Sequence, residues 1–359
     1  MYFIIKTSYL FFWIAGFFSF TTSSAQVYIN EIMPANFDQV WDENTYTLPG
    51  WIELYNASSK SIDLTHYYLT DDPDRIKKWQ IPYGTKIGGY GHLLIWCDAT
   101  PGYLHANFTL SKNGEYLMLS NPGGYIADEL YYPEQKNNVS YGRKSDGAKA
   151  WSFFVSPTPG DQNRGITSLV SAEKPQFSIA PGIYRTSVSV AFVGAASGSI
   201  RYTTDGTEPT KYSRTFVGTL VIDSTTTIKA KTFREGFIPS ETATGTFVIS
   251  SQGHSLPVLS ISMDPSHLWD QKFGIYVEGV NGIPGNCSDA RNWNREWNRH
   301  SVIEYFDSLG IRRVEQDADV RIGGACSRNF PQKSLVIRAR SKYGSSLFDY
   351  NFFPNRNNK

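Results

Sequence analysis

From Val27 to Ile249 the chain runs in short alternations of apolar and polar positions, broken almost everywhere by Gly, Pro, Asn or Asp. A period of two over four to eight residues, with turn residues between, predicts strands and hence β-sandwiches. In "WIELYN" the alternation puts Ile52 and Leu54 on one face, and in "SVSVAFV" it puts Val188, Val190 and Phe192 on one face. The run "YLMLSNPGGYIADELYY" reads as two strands around a turn at Asn121 to Gly124. Helical periodicity is nearly absent. The two candidates are the one-turn "DPSHLWD", with Asp264 as N-cap and Pro265 at the first position, and a short helix around Trp293. Residues 157–175 and 250–257 read as linkers, which leaves three blocks.

Composition supports buried cores: the chain has 359 residues, 40% hydrophobic and 15% aromatic. There are 34 basic and 33 acidic residues, and Lys6 is the one charge in the first 25, so the remainder balances at zero. Such a balance, without a long single-sign run, speaks against a nucleic-acid partner. The first 26 residues combine Lys6, an apolar stretch from Tyr9 to Phe20 and a small polar exit at Ser23-Ser24-Ala25. This predicts a secretory signal cleaved after Ala25 and a secreted or cell-surface chain. The stretch is too short for the roughly 20 residues of a spanning helix, so no transmembrane segment is expected in the mature chain.

Export permits disulfides, and three cysteines leave at least one unpaired. Cys97, in the apolar run "HLLIWCDA", is expected to be a buried thiol; Cys287 and Cys326, both beside glycine turns in the last hundred residues, form the expected pair.

The block 27–163 carries "INEIMPAN", "WIELYNASSKSIDLTHYYLTDDPDRIKKWQIP", "SKNGEYLMLSNPGG" and "FFVSPTPGDQN". It resembles the bacterial lamin-tail domain, an immunoglobulin-like sandwich attached to many secreted enzymes. Asp71, Asp72 and Asp74 there read as a proline turn whose aspartates cap backbone N–H groups rather than as a calcium site. After a linker at 164–174, the block 175–250 carries "IRYTTDGTEPT", "STTTIKAKTF" and "GFIPSETATGTFVI" and looks like the noncatalytic sandwich at the C-terminus of chitobiases and hexosaminidases. Asp205-Gly206 marks a hairpin turn there. Tyr202, Tyr212 and Phe233 read as core rather than as a sugar-stacking platform.

After a second linker at 251–255, the block 256–359 carries "LPVLSISMDPSHLWDQKFGIYVEG", "NWNREWNRHSVIEYFDSLG" and "QDADVRIGGACSRNFPQKSLVIRARSKYG". It resembles the N-terminal part of the spore coat protein H (CotH) kinases, which implies a truncated α+β kinase-like domain. The resemblance implies ATP, magnesium or manganese, and an extracellular protein substrate. The metal-holding and catalytic carboxylates are expected beyond Lys359. The cofactor-binding candidates are Gly323, Gly324, Ser327, Arg328 and Lys333.

Read from its own residues, this stretch is not a Walker loop, because Gln332 precedes Lys333-Ser334 and a strand follows. Parity puts Lys333 on the face of Leu335, Ile337 and Ala339, where a lysine wants an anion. The other reading is a strand-end lysine snorkelling to solvent. Arg328 is open to a phosphate, a carboxylate or solvent. Asp317 and Asp319 read as a solvated strand face beside Arg321, and Trp293 and Trp297, at i and i+4, as one face of a short helix packed on the sheet. The rival function is a noncatalytic surface adhesion or glycan-binding protein that holds a cell-surface polymer.

Overall fold

The computed structural model describes residues 26–165, 167–194, 197–252 and 255–353. The predicted secretory signal lies outside the described residues. The chain is mostly β, with sandwich-like sheets. No helix among the described residues is long and apolar enough to cross a membrane.

In the first block a seven-stranded sheet and a four-stranded sheet face each other. Val27–Met33 lies antiparallel to Gly50–Asn56, which pairs with His92–Cys97. Ile29, Ile52, Leu54 and Ile95 from the larger sheet meet Leu69, Leu117 and Leu119 from the smaller one, and all are fully buried. The hairpin Glu115–Ser120 and Ile126–Tyr132 forms as expected, with Gly124 N donating to Asn121 O at 2.9 Å. Gly114 enters that hairpin at φ +90°, and a Cβ there would stand 2.6 Å from Tyr132 O, so the turn requires glycine.

The second block packs Val190, Ile228 and Phe247 into its own core, with Val188 and Phe192 against it as the alternation predicts. Tyr202 is buried in that core, Phe233 is half-buried and Tyr212 is 84% exposed, so the three rings form no platform. Asp205-Gly206 is not a hairpin turn: Ser199–Thr203 pairs with Arg214–Thr215, so the connection is 204–213, and within it Asp205 accepts from Thr207 N at 3.0 Å to cap a local bend. The strand Gly182–Tyr184 runs parallel to Ala243–Ile249.

The segment read as a linker at 164–174 is pinned. Thr167–Ser168 adds to the first sandwich beside Phe153 and Phe154, and Ala172 N donates to Ile238 O of the second at 2.8 Å. Ile238 is buried with Val139 and Phe153, so the sandwiches share a small apolar cluster. Alternation along 164–174 is too short to show this, because each half of the segment pairs with a different module.

The third block is a four-stranded antiparallel sheet in the order Val258–Ser262, Arg299–Phe306, Arg312–Ile322, Leu335–Arg338. Its helix, Pro265–Trp269, has five residues and the predicted cap, Ser266 N donating to Asp264 Oδ1 at 2.8 Å. The described residues therefore show a sheet with one short helix and a few single turns rather than a full α+β unit. One face carries Ile261, Ile303, Ala318, Val320 and Ile337, covered by Leu268 and Phe348. Register places His300, Glu304, Asp317 and Asp319 on the opposite face, and this polar face is laid against the two sandwiches.

Candidate functional site

Two places concentrate chemistry: the predicted stretch 320–344 and the clefts where the third sheet meets the sandwiches. In the first, Gly323 N donates to Ser334 O at 2.8 Å, which ties the glycine turn to the residues before the last strand. Cys326–Asn329 is a single 3-10 turn, and the disulfide Cys287–Cys326 fixes its start with Cα atoms 5.1 Å apart. Cys97 is the free cysteine and is buried, which pushes its thiol pKa well up.

Lys333 is neither snorkelling nor aimed at an anion. The strand begins two residues later, at Leu335, so the parity argument started from the wrong residue. Lys333 is 9% exposed. Its ammonium donates to Arg328 O at 2.6 Å and Phe330 O at 3.1 Å, and lies 3.7 Å from the Trp293 ring centroid and 5.4 Å from that of Tyr276. Desolvation lowers its pKa, with Glu278 acting the other way. The carbonyls left over by the 3-10 turn and two ring faces do the work expected of a phosphate.

Arg328 is equally committed. Its guanidinium donates to Gly324 O at 2.6 Å, to Asn294 O at 3.2 Å and to Glu296 Oε1 at 2.7 Å. Of the readings open for Arg328, the carboxylate contact is the one found, to Glu296. Lys333→Met is expected to destabilise the third block by about 2–3 kcal/mol, because it strands two carbonyls and removes a desolvated cation–π contact. An unchanged thermal midpoint in that variant would refute the structural role.

The tryptophans also differ from expectation. Asn292–Asn294 is one 3-10 turn, and Trp297 lies beyond it, so no helix aligns the two rings. They nonetheless share one buried cluster with Ile275 and Ile322. Trp297 Nε1 donates to Thr45 O of the first sandwich at 2.8 Å.

Of the two aspartates of the third sheet, Asp319 is not solvated while Asp317 stays partly exposed. Asp319 is 3% exposed, accepts from Tyr343 OH at 2.6 Å, and meets Lys342 Nζ at 2.9 Å and Arg340 Nε at 3.2 Å. Burial raises its pKa, but Lys342 and Tyr343 outweigh it and hold the carboxyl below its ordinary range. Asp317 lies 2.7 Å from His300 Nε2. Arg321 pairs with Glu296 instead of either aspartate. Among the Asp71–Asp74 carboxylates, Asp72 caps Asp74 N at 3.0 Å and Asp71 pairs with Lys78.

His300 stacks on Phe37 of the first sandwich at 4.5 Å and stands between two clefts. One, of about 190 Å³, is lined by all three blocks, among them Lys136, Glu208, Lys231 and Asp317. The other, of about 350 Å³, lies between the first sandwich and the third block. A further pin joins the second and third blocks: Glu304 is fully buried, accepts from Thr246 Oγ1 at 2.5 Å and pairs with Arg312 at 2.9 Å. None of these cross-module contacts has a periodic signal in the sequence. Glu304 and Trp297 are visible there only as a charge in an apolar strand and an aromatic in a polar loop.

The fold and its junctions thus define a multi-module β-sandwich protein. The family described as Lamin Tail Domain matches residues 21–134, and the family described as Chitobiase/beta-hexosaminidase C-terminal domain matches residues 179–244. Both matches end before the third block, and the first ends before the strands Ser140–Arg143 and Trp151–Phe154, which complete the larger sheet. No curated protein matches the chain.

Proposed function

We propose that the chain is a noncatalytic binding head of an exported protein, holding a polymer at the cell surface through modules fastened into fixed relative positions. The signal read at the N-terminus, with cleavage after Ala25, supplies the export step. The observation that carries the reading is the polar face of the third sheet. On it Glu304 accepts from Thr246 Oγ1 and Arg312 donates to Thr244 O of the second block, and the clefts beside it are bounded by more than one module.

ATP-dependent phosphoryl transfer, the activity that the spore-coat-kinase resemblance implies, asks for a lysine and an arginine free to meet phosphate. Lys333 and Arg328 are committed to carbonyls and Glu296, so the residues present do not fit a nucleotide, and no transfer step is derived for them.

The test takes residues 26–359 through two measurements. Co-sedimentation with insoluble peptidoglycan, cellulose and chitin is expected to retain the chain on at least one of them. Thermal unfolding is expected to be unmoved by ATP with magnesium or manganese. Loss of all polymer binding, together with an ATP-dependent stabilisation that Lys333→Ala abolishes, would replace this reading with the kinase one.

A further inference from the structure

At the rim of the first sandwich's core Asp71 and Lys78 are in direct contact, and the charge of Glu115 acts on the same place. Asp71 follows Leu69 by two residues and Glu115 precedes Leu117 by two, so alternation carries both carboxyls toward the face of Leu69, Leu117 and Leu119. Lys78 immediately precedes the strand Trp79–Gln80, which pairs with Tyr68–Thr70. The Asp71 and Lys78 side chains are 14% and 15% exposed, and the ammonium lies 5.3 Å from the centroid of the buried Phe108 ring.

Each of the two charges has one partner. Among the described residues the Lys78 ammonium finds no acceptor except Asp71, and the Asp71 carboxylate finds no donor except Lys78. Desolvated charges without further hydrogen bonds are costly to hold, whereas an amide made from the same two groups is neutral. Glu115 is set up to carry a proton: Ser111 N at 2.8 Å and Tyr132 OH at 2.7 Å both donate to Oε1, and Oε2 accepts from no described residue. Burial raises its pKa, with Asp71 adding to the rise and Tyr132, Ser111 and Lys78 opposing it.

We propose that Lys78 and Asp71 join in an intramolecular amide bond, with Glu115 as the proton carrier. Within the ion pair the ammonium passes one proton to the carboxylate. The Nζ lone pair then forms a bond to Asp71 Cγ, Glu115 gives its Oε2 proton to one Asp71 oxygen and takes another from Nζ, and the Cγ–O bond breaks to release water. Nothing is oxidised or reduced, and Glu115 ends as it began. Contact between the two groups stands in for an activated acyl group, because reactants held in place behave as if at very high concentration. The bond closes residues 71–78 into a covalent ring at the end of the sandwich, and it is independent of what the chain binds.

The test uses residues 26–359, folded and aged at neutral pH. The mass is expected to lie one water below the sequence value, with the deficit on a branched peptide that joins the Asp71 and Lys78 segments. Residues 73–77 are exposed, so limited trypsin cleavage after Arg75 or Lys77 is expected to leave a chain that still runs as one band under reducing, denaturing conditions. Lys78→Met is expected to show no branched peptide and two bands. In Asp71→Asn the same branched peptide is expected to form with loss of ammonia in place of water, and Glu115→Gln is expected to slow closure by about a hundredfold. Unlinked Asp71 and Lys78 peptides from the unaltered chain, with two bands after cleavage, would overturn the proposal and leave an ordinary ion pair; this readout needs no variant to fold. Closure of Glu115→Gln at the unaltered rate would overturn the role given to Glu115.

Discussion

Trp297→Ala is expected to cost about 3–5 kcal/mol, the range for truncating a large buried aromatic. The side chain is 4% exposed, fills the cluster of Ile275, Trp293 and Ile322, and carries the Arg299 guanidinium 5.0 Å from its centroid. It also reaches into another module, since its indole N–H meets Thr45 O and its ring meets Tyr46. Loss should therefore appear twice: as a lower unfolding midpoint for the third block, and as faster amide exchange in residues 41–47 of the first sandwich. Trp297→Phe keeps most of the apolar contact and removes the N–H, so about 1 kcal/mol is expected for it. A Trp297→Ala protein that loses stability without faster exchange at 41–47 would show that the contact between modules does not depend on this residue.

Alkaline destabilisation of the first sandwich is the second large effect. Glu53 has no solvent exposure, and burial pushes its pKa up to about 8, with Glu31 and Asp146 adding to the rise. Hydrogen bonds from Asn30 Nδ2 and Gly160 N to its two oxygens oppose the rise without cancelling it. A carboxyl whose pKa is higher folded than unfolded favours folding most below its unfolded value, near 4.5, and this contribution is lost as pH rises through about 8. Glu31, fully buried beside it, is raised as well by the same cause. Raising the pH from 5 to 9 should thus lower stability by on the order of 3 kcal/mol from Glu53, since each tenfold difference in proton affinity between the folded and unfolded chain is worth about 1.4 kcal/mol. In Glu53→Gln the slope over this window should flatten, as followed by denaturant titration at each pH. An equally steep slope in that variant would place the linked proton elsewhere.

The same residue shows what strand alternation can and cannot reveal. Period two correctly gathers Ile52 and Leu54 into the core, and it assigns Glu53 to the opposite side. What it cannot show is that residues 158–163, read as the start of a linker, fold back over that side. There Thr158 bonds Glu31 while Asn163 bonds the carbonyls of Asn30 and Arg143. Asp319 repeats the lesson, since its strand face is legible while the return of Arg340, Lys342 and Tyr343 over it is not. Local signals with a stereochemical cause fared better: the Asp264 cap and the turn at Asn121–Gly124 each need only neighbouring residues. Lys333 fails for a third reason. Its parity depended on where the strand begins, and the 3-10 turn before it turns the side chain onto carbonyls that no sequence pattern marks.

The parallel pairing of Gly182–Tyr184 with Ala243–Ile249 bears on mechanical behaviour. These are strands from the two ends of the second sandwich, and they point the same way, with Ile183 opposite Val248 and Tyr184 opposite Ile249. Tension that draws the two strands apart along their length loads this row of hydrogen bonds in shear, all together, instead of peeling them singly from one end. A head tethered on one side and attached to a polymer on the other would transmit pull through this module, whose strand arrangement resists extension at the point where the load enters and leaves.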